Sequence, residues 1–165
     1  MNTGKELSKT LGELIDELSA VPDNKINTIP FEGSWTPAQL AQHLIKSYGV
    51  IQVIHGHAIP TQREPDENFK QVAKIFLDFS TKLQSPDFIV PEEQEYDKEA
   101  LLKSLQQTKH DTENALATLD LTMTCEDFAL PGMSTKFTRL EWLYFMMCHT
   151  QRHIRQLKNI KQHLQ

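Results

Sequence analysis

The sequence predicts an all-α protein, a four-helix bundle with a long crossover connection and one extra short helix. Four long segments repeat apolar residues at spacings of three and four, as amphipathic helices do, and no strand pattern competes with them. Long amphipathic helices of similar length bury their apolar faces best in a bundle. The chain has 165 residues, enough for a substantial core, so we expect residues 1–165 to form a single domain.

The second helix of this bundle has sequence signals at both of its ends. Thr36 is a suitable N-cap, Pro37 fits the first helical position, and Gln39 completes a capping box. Gly56 is a favourable C-terminal stop, because glycine readily adopts the backbone conformation that ends a helix. We therefore predict one uninterrupted helix from this cap to about His55.

The last helix is predicted over residues 138–164, a stretch that contains neither glycine nor proline. Thr138 and Glu141 have the spacing of a second capping box. Phe137 and Trp142 have the spacing of a hydrophobic staple, in which two apolar side chains fix the entry of the chain into a helix. At 1.5 Å per residue such a helix is about 40 Å long.

The remaining elements complete the predicted bundle. Residues 5–20 place leucines at helical spacing and form the first helix, and another long helix starts after Asp97 as its N-cap. A shorter helix is predicted over 66–83, within a connection of residues 57–97 that is long enough for a crossover. Residues 120–137 contain a Pro-Gly pair and predict a loop with room for a short extended piece.

Charge and composition argue against several classes of partner. The net charge is −5, from 17 lysines and arginines against 22 acidic residues, so we expect no nucleic-acid partner. The N-terminus has no apolar signal core, and no apolar run approaches membrane-spanning length. We therefore expect a cytoplasmic protein with no membrane partner. Cys125 and Cys148 do not make a disulfide framework.

Three histidines are the strongest candidates for a metal site. His149 and His153 are four residues apart on the last helix, so their rings share one face and can bind one ion together. His43 lies in the apolar stripe of the second helix and is the candidate for the third ligand. Three imidazoles leave a coordination position open, as in catalytic zinc sites, and they suit zinc, nickel or another borderline metal. The alternative is that each histidine is a buried polar residue with its own hydrogen-bond partner, which is the usual case for a single histidine.

Two residues beside the histidine pair are candidate helpers. Arg152 can hold the carboxylate of a substrate or thiol cofactor, or it can form a salt bridge between helices. Gln156 can hydrogen-bond to a metal ligand, or it can be an ordinary amide on the helix surface. The catalytic group itself is not identified by the sequence, because a thiol or water on the metal would fill that role.

Two motifs resemble those of a known family. The segments S-W-T-P-A-Q-L-A-Q-H-L and T-R-L-E-W-L-Y-F-M-M-C-H-T-Q-R-H-I-R-Q-L are similar to the DinB-like (YfiT-like) family of metal-binding bundles, and the helix layout agrees over residues 1–160. The resemblance implies a four-helix bundle with a long crossover, commonly dimeric, so we expect a homodimer. It also implies that His43, His149 and His153 are the metal ligands.

The resemblance implies two classes of function. Family relatives include metal-dependent S-transferases that use low-molecular-weight thiols such as bacillithiol, a thiol-dependent isomerase, and members described as metal-dependent hydrolases. We therefore expect a divalent-metal enzyme of the thiol S-transferase type that acts on a small electrophilic molecule, with a hydrolase as the alternative. A non-catalytic metal-binding or stress-related bundle is the other class, and a solvent-connected pocket at the metal would favour an enzyme.

Overall fold

The computed structural model describes residues 2–165 and is almost entirely helical. Within these residues, no helix is both long and apolar enough to cross a membrane. The helices, numbered in chain order, are α1 Thr3–Ser19, α2 Pro37–Ser47, α3 Val50–His55, α4 Phe69–Phe76, α5 Lys98–Thr118 and α6 Arg139–His163. Short 3-10 turns occur at Asp23–Lys25 and Asp87–Ile89, and two short strands are β1 Ala58–Ile59 and β2 Thr124–Cys125.

The four parts of the bundle are α1, the α2–α3 pair, α5 and α6. Helix α1 packs against α5 and α6, and α2 packs against the same two helices. The connection from α3 to α5 runs through residues 56–97 and contributes α4, which packs on α6. This arrangement agrees with the predicted bundle, its crossover connection and its extra short helix.

Helix α6 lies at the centre of the core. Every residue from 141 to 150 is buried, so this part of the helix is covered on all sides rather than on one face. A polar group in such a helix is costly unless it finds a partner inside the protein. The Thr150 hydroxyl does so, since it lies 2.7 Å from the Tyr48 hydroxyl and donates to the Met146 carbonyl over 2.7 Å.

Hydrogen bonds confirm both predicted capping boxes. At α2, the Gln39 N–H donates to Thr36 Oγ1 and the Thr36 N–H donates to Gln39 Oε1, each over 3.0 Å. At α6, Glu141 N donates to Thr138 Oγ1 over 3.1 Å and Thr138 N donates to Glu141 Oε2 over 2.9 Å. The predicted staple beside the second box is an edge-to-face contact of the Phe137 and Trp142 rings, with centroids 5.1 Å apart.

Glu141 also makes contacts that the sequence did not predict. The guanidinium of Arg63 donates to both carboxylate oxygens, over 2.7 and 2.6 Å, and Asn68 N donates to Oε1 over 2.8 Å. The Glu141 side chain is fully buried. Burial raises the pKa of Glu141, but the hydrogen bonds from Arg63, Thr138 and Asn68 outweigh it, so the pKa lies below its ordinary value. This charged pair ties the crossover connection to the start of α6.

The second predicted helix is interrupted, which corrects the prediction of one helix ending near His55. Helix α2 ends at Ser47 and α3 begins at Val50. Between them the hydrogen bonds span three residues, from Gly49 N to the Lys46 carbonyl and from Ile51 N to the Tyr48 carbonyl. Glycine is a poor helix former, and three-residue hydrogen bonds tighten the turn, so the regular α-helical bonding is broken there.

The short helix is also shorter than the predicted span of 66–83, because α4 ends at Phe76. The Asp78 carboxylate accepts a hydrogen bond from Ser80 N over 3.0 Å, which competes with helix continuation. Arg152 on α6 donates to the carbonyls of Phe76 and Asp78, over 3.4 and 2.8 Å. The Ser80 N–H and the carbonyls of Phe76 and Asp78 thereby have partners other than the backbone hydrogen bonds of a longer helix.

The paired strands were predicted only in part. Residues 120–137 contain the short extended piece for which the sequence left room, but its partner at Ala58–Ile59 was predicted to be loop. Ala58 pairs with Cys125, and Asp127 accepts from His57 N over 2.8 Å beside this pair. Strands of two residues are too short to show an alternating pattern, so the sequence carries no signal for them.

Replacing Glu141 with glutamine should destabilise the protein by about 2–3 kcal/mol at pH 7, because the half-buried Arg63 guanidinium loses its charged partner. The contribution of the Glu141 charge is present above the ordinary value near 4.5 and is lost as pH falls through the lower folded-state pKa. Urea unfolding from pH 7 to pH 3 should therefore show the difference between wild type and variant shrinking below about pH 4.5.

Glu113→Gln is the matched control, because Glu113 pairs with Lys109 at the surface of α5 and surface pairs contribute at most about 1 kcal/mol. A Glu141→Gln variant as stable as this control at pH 7 would contradict the assigned role of the buried pair.

Candidate metal centre

Three histidine rings meet between α2 and α6. His43 comes from the middle of α2, and His149 and His153 come from successive turns of α6. Their Nε2 atoms form a triangle with sides of 3.2 Å between His43 and His149, 3.1 Å between His43 and His153, and 3.0 Å between His149 and His153. All three residues are buried. The structure thus brings together the three histidines that the sequence analysis predicted as candidate metal ligands.

The outer ring nitrogens of two histidines have backbone or side-chain partners. His43 Nδ1 lies 2.9 Å from the Ile89 carbonyl, and His153 Nδ1 lies 2.8 Å from Gln156 Oε1. An oxygen of either kind can only accept here, so both Nδ1 atoms carry the proton and both Nε2 lone pairs face the centre of the triangle. The outer nitrogen of a metal-bound histidine is commonly held in this way.

His149 is held differently. Its Nδ1 is buried and has no hydrogen-bond partner within residues 2–165. The ring lies against Phe145, stacked at 5.4 Å between centroids, and against Phe76 at 5.7 Å. Packing between aromatic rings therefore fixes the orientation of His149, whereas hydrogen bonds fix the rings of His43 and His153.

The arrangement fits a divalent cation. Lone pairs on adjacent Nε2 atoms repel one another unless a proton or a cation lies between them. Zinc–nitrogen bonds of about 2.0–2.1 Å in a tetrahedral site separate the nitrogens by about 3.3 Å. The observed separations of 3.0–3.2 Å are close to that value. Three imidazoles with no carboxylate or thiolate among them form a donor set that suits zinc, nickel and similar ions.

The histidines are neutral at physiological pH. Burial lowers the pKa of His43, with a smaller opposing effect from its hydrogen bond to Ile89. Burial and the neighbouring His43 bring the pKa of His153 to about 3, and burial with the other two rings holds the pKa of His149 well below its ordinary value. Neutral imidazoles are the form that binds metal, so the site needs no deprotonation before binding.

A cleft of about 890 Å³ reaches the three histidines. Its inner wall includes Trp35, whose ring centroid lies 4.8 Å from that of His43, together with Phe76 and Phe145 beside His149. Its outer wall includes residues that are exposed to solvent, such as Phe88 at 63%. The cluster is therefore buried within the protein but connected to an open pocket, as a catalytic site requires.

The two predicted helper residues have different surroundings. Gln156 is the hydrogen-bond partner of His153, so the structure favours a role next to a candidate metal ligand over that of an ordinary surface amide. Arg152 lines the cleft, but its guanidinium donates to the carbonyls of Phe76, Asp78 and Thr81. It makes no salt bridge within residues 2–165, so the predicted interhelix salt bridge is absent from that part of the chain.

The contacts that sequence reasoning missed involve the backbone and a loop. The Ile89 carbonyl orients His43 across 46 positions of sequence, and no pattern of side chains signals a backbone acceptor. Trp35 directly precedes the N-cap Thr36, and its ring packs against His43. Burial raises the pKa of Cys148 to about 11, so its thiol is not a ready ligand despite its place next to His149.

These features define a helical bundle in which three buried histidines converge at the wall of a cleft. The chain belongs to the DinB superfamily, whose model matches residues 6–157. A solved structure of YfiT from Bacillus subtilis, described as a probable metal-dependent hydrolase with an unusual four-helix bundle topology, superposes with a TM-score of 0.61 at 20% sequence identity. The match covers 97% of this chain and 84% of YfiT, which confirms the predicted fold. No curated protein matches the sequence.

Replacing His43, His149 or His153 singly with alanine should lower the affinity for Zn²⁺ or Ni²⁺ by at least about 100-fold, because each change removes one of three ligands. The wild-type chain should bind one ion, measured by competition with a chromogenic chelator. His110→Ala is the control, since His110 is exposed on α5. Full stoichiometric metal in the His43→Ala variant would refute the assigned site.

Replacing Gln156 with leucine should lower metal affinity by about 10- to 100-fold, because His153 then loses the acceptor that orients its ring. Gln156→Glu keeps an acceptor at the same place and should retain at least wild-type affinity. The same competition assay checks both variants. Equal affinity of the leucine variant and wild type would show that Gln156 does not support the site.

Proposed function

We propose that this protein binds one divalent metal ion through His43, His149 and His153 and acts as an enzyme on a small organic molecule. The observation that carries the proposal is the convergence of three neutral Nε2 atoms at the wall of a solvent-connected cleft. A closed structural zinc site has four protein ligands, whereas a catalytic site commonly has three and leaves a position for another ligand. The non-catalytic alternative gives no reason for a cleft of this size at the cluster.

Zinc and nickel are the ions that we propose for the site, because imidazole nitrogen is a preferred donor for both. When bound, such an ion acts as a Lewis acid that lowers the pKa of a coordinated thiol or water molecule. The protein's own residues hold and orient the three rings. Ile89 and Gln156 fix two of them by hydrogen bonds, and Phe145 fixes the third by stacking. The surrounding aromatic side chains exclude water from the inner side of the cluster.

Among the possible reactions, we favour thiol S-transfer over hydrolysis. A metal ion can generate hydroxide from bound water by itself, but metal-dependent hydrolysis is commonly assisted by a general base near the water and an acid for the leaving group. Asp87 is the one carboxylate among residues 2–165 that lines the cleft, and it is exposed on the outer wall. A thiol is acidic enough to lose its proton without such a base, since its ordinary pKa is near 8.5. The hydrolase remains the second candidate, because YfiT, which shares the fold, is described as one.

The cleft also suits an electrophile of organic character. Its walls are mostly aromatic and aliphatic. Apolar walls bind the carbon skeleton of a small molecule and leave the metal to activate the attacking group. A low-molecular-weight thiol is therefore the proposed cosubstrate, with a small electrophile as the acceptor.

The metal-loaded protein should accelerate the reaction of a low-molecular-weight thiol with 1-chloro-2,4-dinitrobenzene at least about tenfold over the thiol alone, which is a small fraction of typical enzymatic acceleration. The absorbance of the thioether product measures the rate for a panel of thiols that includes cysteine, glutathione and bacillithiol. Chelation of the metal and the His43→Ala variant should each abolish the acceleration.

A second assay distinguishes the alternative. Hydrolysis of 4-nitrophenyl acetate without thiol, dependent on the same metal and the same histidine, would replace the transferase with a hydrolase. Absence of both activities in protein with one bound ion per chain would contradict an enzymatic role on these electrophiles.

A further inference from the structure

The cleft differs from the rest of the protein in charge. The whole chain has 17 basic and 22 acidic residues, so acidic residues predominate. Among the residues that line the cleft, basic residues predominate instead. The lining contains Lys82, Arg152 and Arg155 but a single acidic residue, Asp87. The three histidines add no negative charge. A cleft that is more positive than its protein attracts anions, and a bound divalent ion would increase that attraction.

The basic groups of the cleft are not fully neutralised by the protein, although the carboxylate of Asp78 attracts the Arg152 guanidinium and partly offsets its charge. Within residues 2–165, Lys82, Arg152 and Arg155 form no salt bridge. The lysines and arginines that do form salt bridges elsewhere mostly have a carboxylate oxygen within 3.0 Å of the side-chain nitrogen. The hydrogen bonds of Arg152 go to carbonyl oxygens, which do not cancel its charge. Arg155 lies over the ring of Phe79, with its guanidinium carbon 4.7 Å from the ring centroid.

Aromatic side chains continue from the histidines to the mouth of the cleft. Trp35, Phe76 and Phe145 lie beside the cluster, and three further rings are exposed at the opening. These outer rings are Phe31 at 42%, Phe79 at 43% and Phe88 at 63% exposure. Exposed aromatic groups that gather at one opening mark a binding surface, whereas single exposed apolar residues are ordinary. Flat rings bind flat, apolar ligands by stacking.

We propose that the occupant of this cleft is a small aromatic molecule with an anionic group, and that Arg155 binds the anionic group while the aromatic walls bind the rest. The inference rests on the proposed function, because this molecule would be the electrophile that accepts the thiol at the same site. Arg155 is suited to this role because its guanidinium lies over the ring of Phe79 while its donors make no hydrogen bond within residues 2–165.

Binding of three matched probes tests the inference by calorimetry, without a thiol and without turnover. The probes are 1-naphthoate, the neutral 1-naphthalenemethanol, and decahydronaphthalene-1-carboxylate, which keeps the charge and loses the flat ring. We expect 1-naphthoate to bind about fivefold more tightly than the neutral probe, which is the upper end of what one partly exposed ion pair contributes. It should also bind more tightly than the saturated carboxylate, because only a flat ring can stack on the aromatic walls. The preference over the neutral probe should weaken at high salt.

Variants assign the preference to Arg155. Arg155→Met should weaken 1-naphthoate binding about fivefold and leave 1-naphthalenemethanol unchanged, whereas Arg155→Lys should retain the preference. Lys158→Met is the matched control, because Lys158 lies on the same helix and pairs with Glu13 outside the cleft. It should leave the affinity for each probe unchanged.

The assay is run on metal-loaded and metal-free protein to distinguish the two positive centres. A preference for the anion in both forms that Arg155→Met removes supports the inference. Equal affinity for the charged and neutral aromatic probes overturns it, and so does a preference that requires the metal and survives Arg155→Met, since the metal would then bind the carboxylate. If turnover fails while the Arg155-dependent preference holds, the proposed reaction is wrong and the binding inference stands.

Discussion

Burial of residues 141–150 of α6 on all sides is the constraint on which the rest of the structure depends. A helix segment at the centre of a bundle cannot send its polar side chains to water, so each of them is costly unless another element supplies a partner. Glu141 takes Arg63 from the crossover connection, and Thr150 takes Tyr48 from the end of α2. The polar groups of α6 thereby specify which elements surround it, while the apolar groups supply most of the stabilising energy.

The histidine cluster is subject to the same constraint, but its inner ring nitrogens face one another instead of partners elsewhere in the fold. His43 and His153 satisfy their outer nitrogens within the protein, and the three inner nitrogens satisfy one another only if a proton or a cation lies among them. The cluster is thus a poor solution for packing alone, since apolar side chains of similar volume would fill the space without this cost. This argues against the reading of each histidine as an independent, satisfied core residue, and a metal bound by the three rings would link α2 to α6.

The sequence predicted what depends on neighbouring residues and missed what depends on distant ones. The capping boxes at Thr36 and Thr138, the bundle helices and the pairing of His149 with His153 follow from spacings of three and four residues. The capture of Glu141 by Arg63 spans 78 positions, and no local pattern encodes it. The early end of α4 likewise depends on carbonyl contacts from Arg152, 74 positions from Asp78. His43 was placed correctly because its helix stripe faces the core, but the Ile89 carbonyl that orients it has no side-chain signature.

One segment belongs both to the cleft and to the cluster. Residues 85–90 line the cleft wall, and the Ile89 carbonyl within them orients His43. Lys46 on α2 holds this segment in place by donating to the Val90 carbonyl over 2.8 Å. A ligand that packs against Phe88 therefore acts on the same backbone that fixes His43. If the proposed metal and a cleft ligand both bind, any change that one of them makes in this segment would alter the affinity for the other, and by the same factor in both directions. The shared segment 85–90 is therefore where a coupling between the cleft and the proposed metal centre would arise.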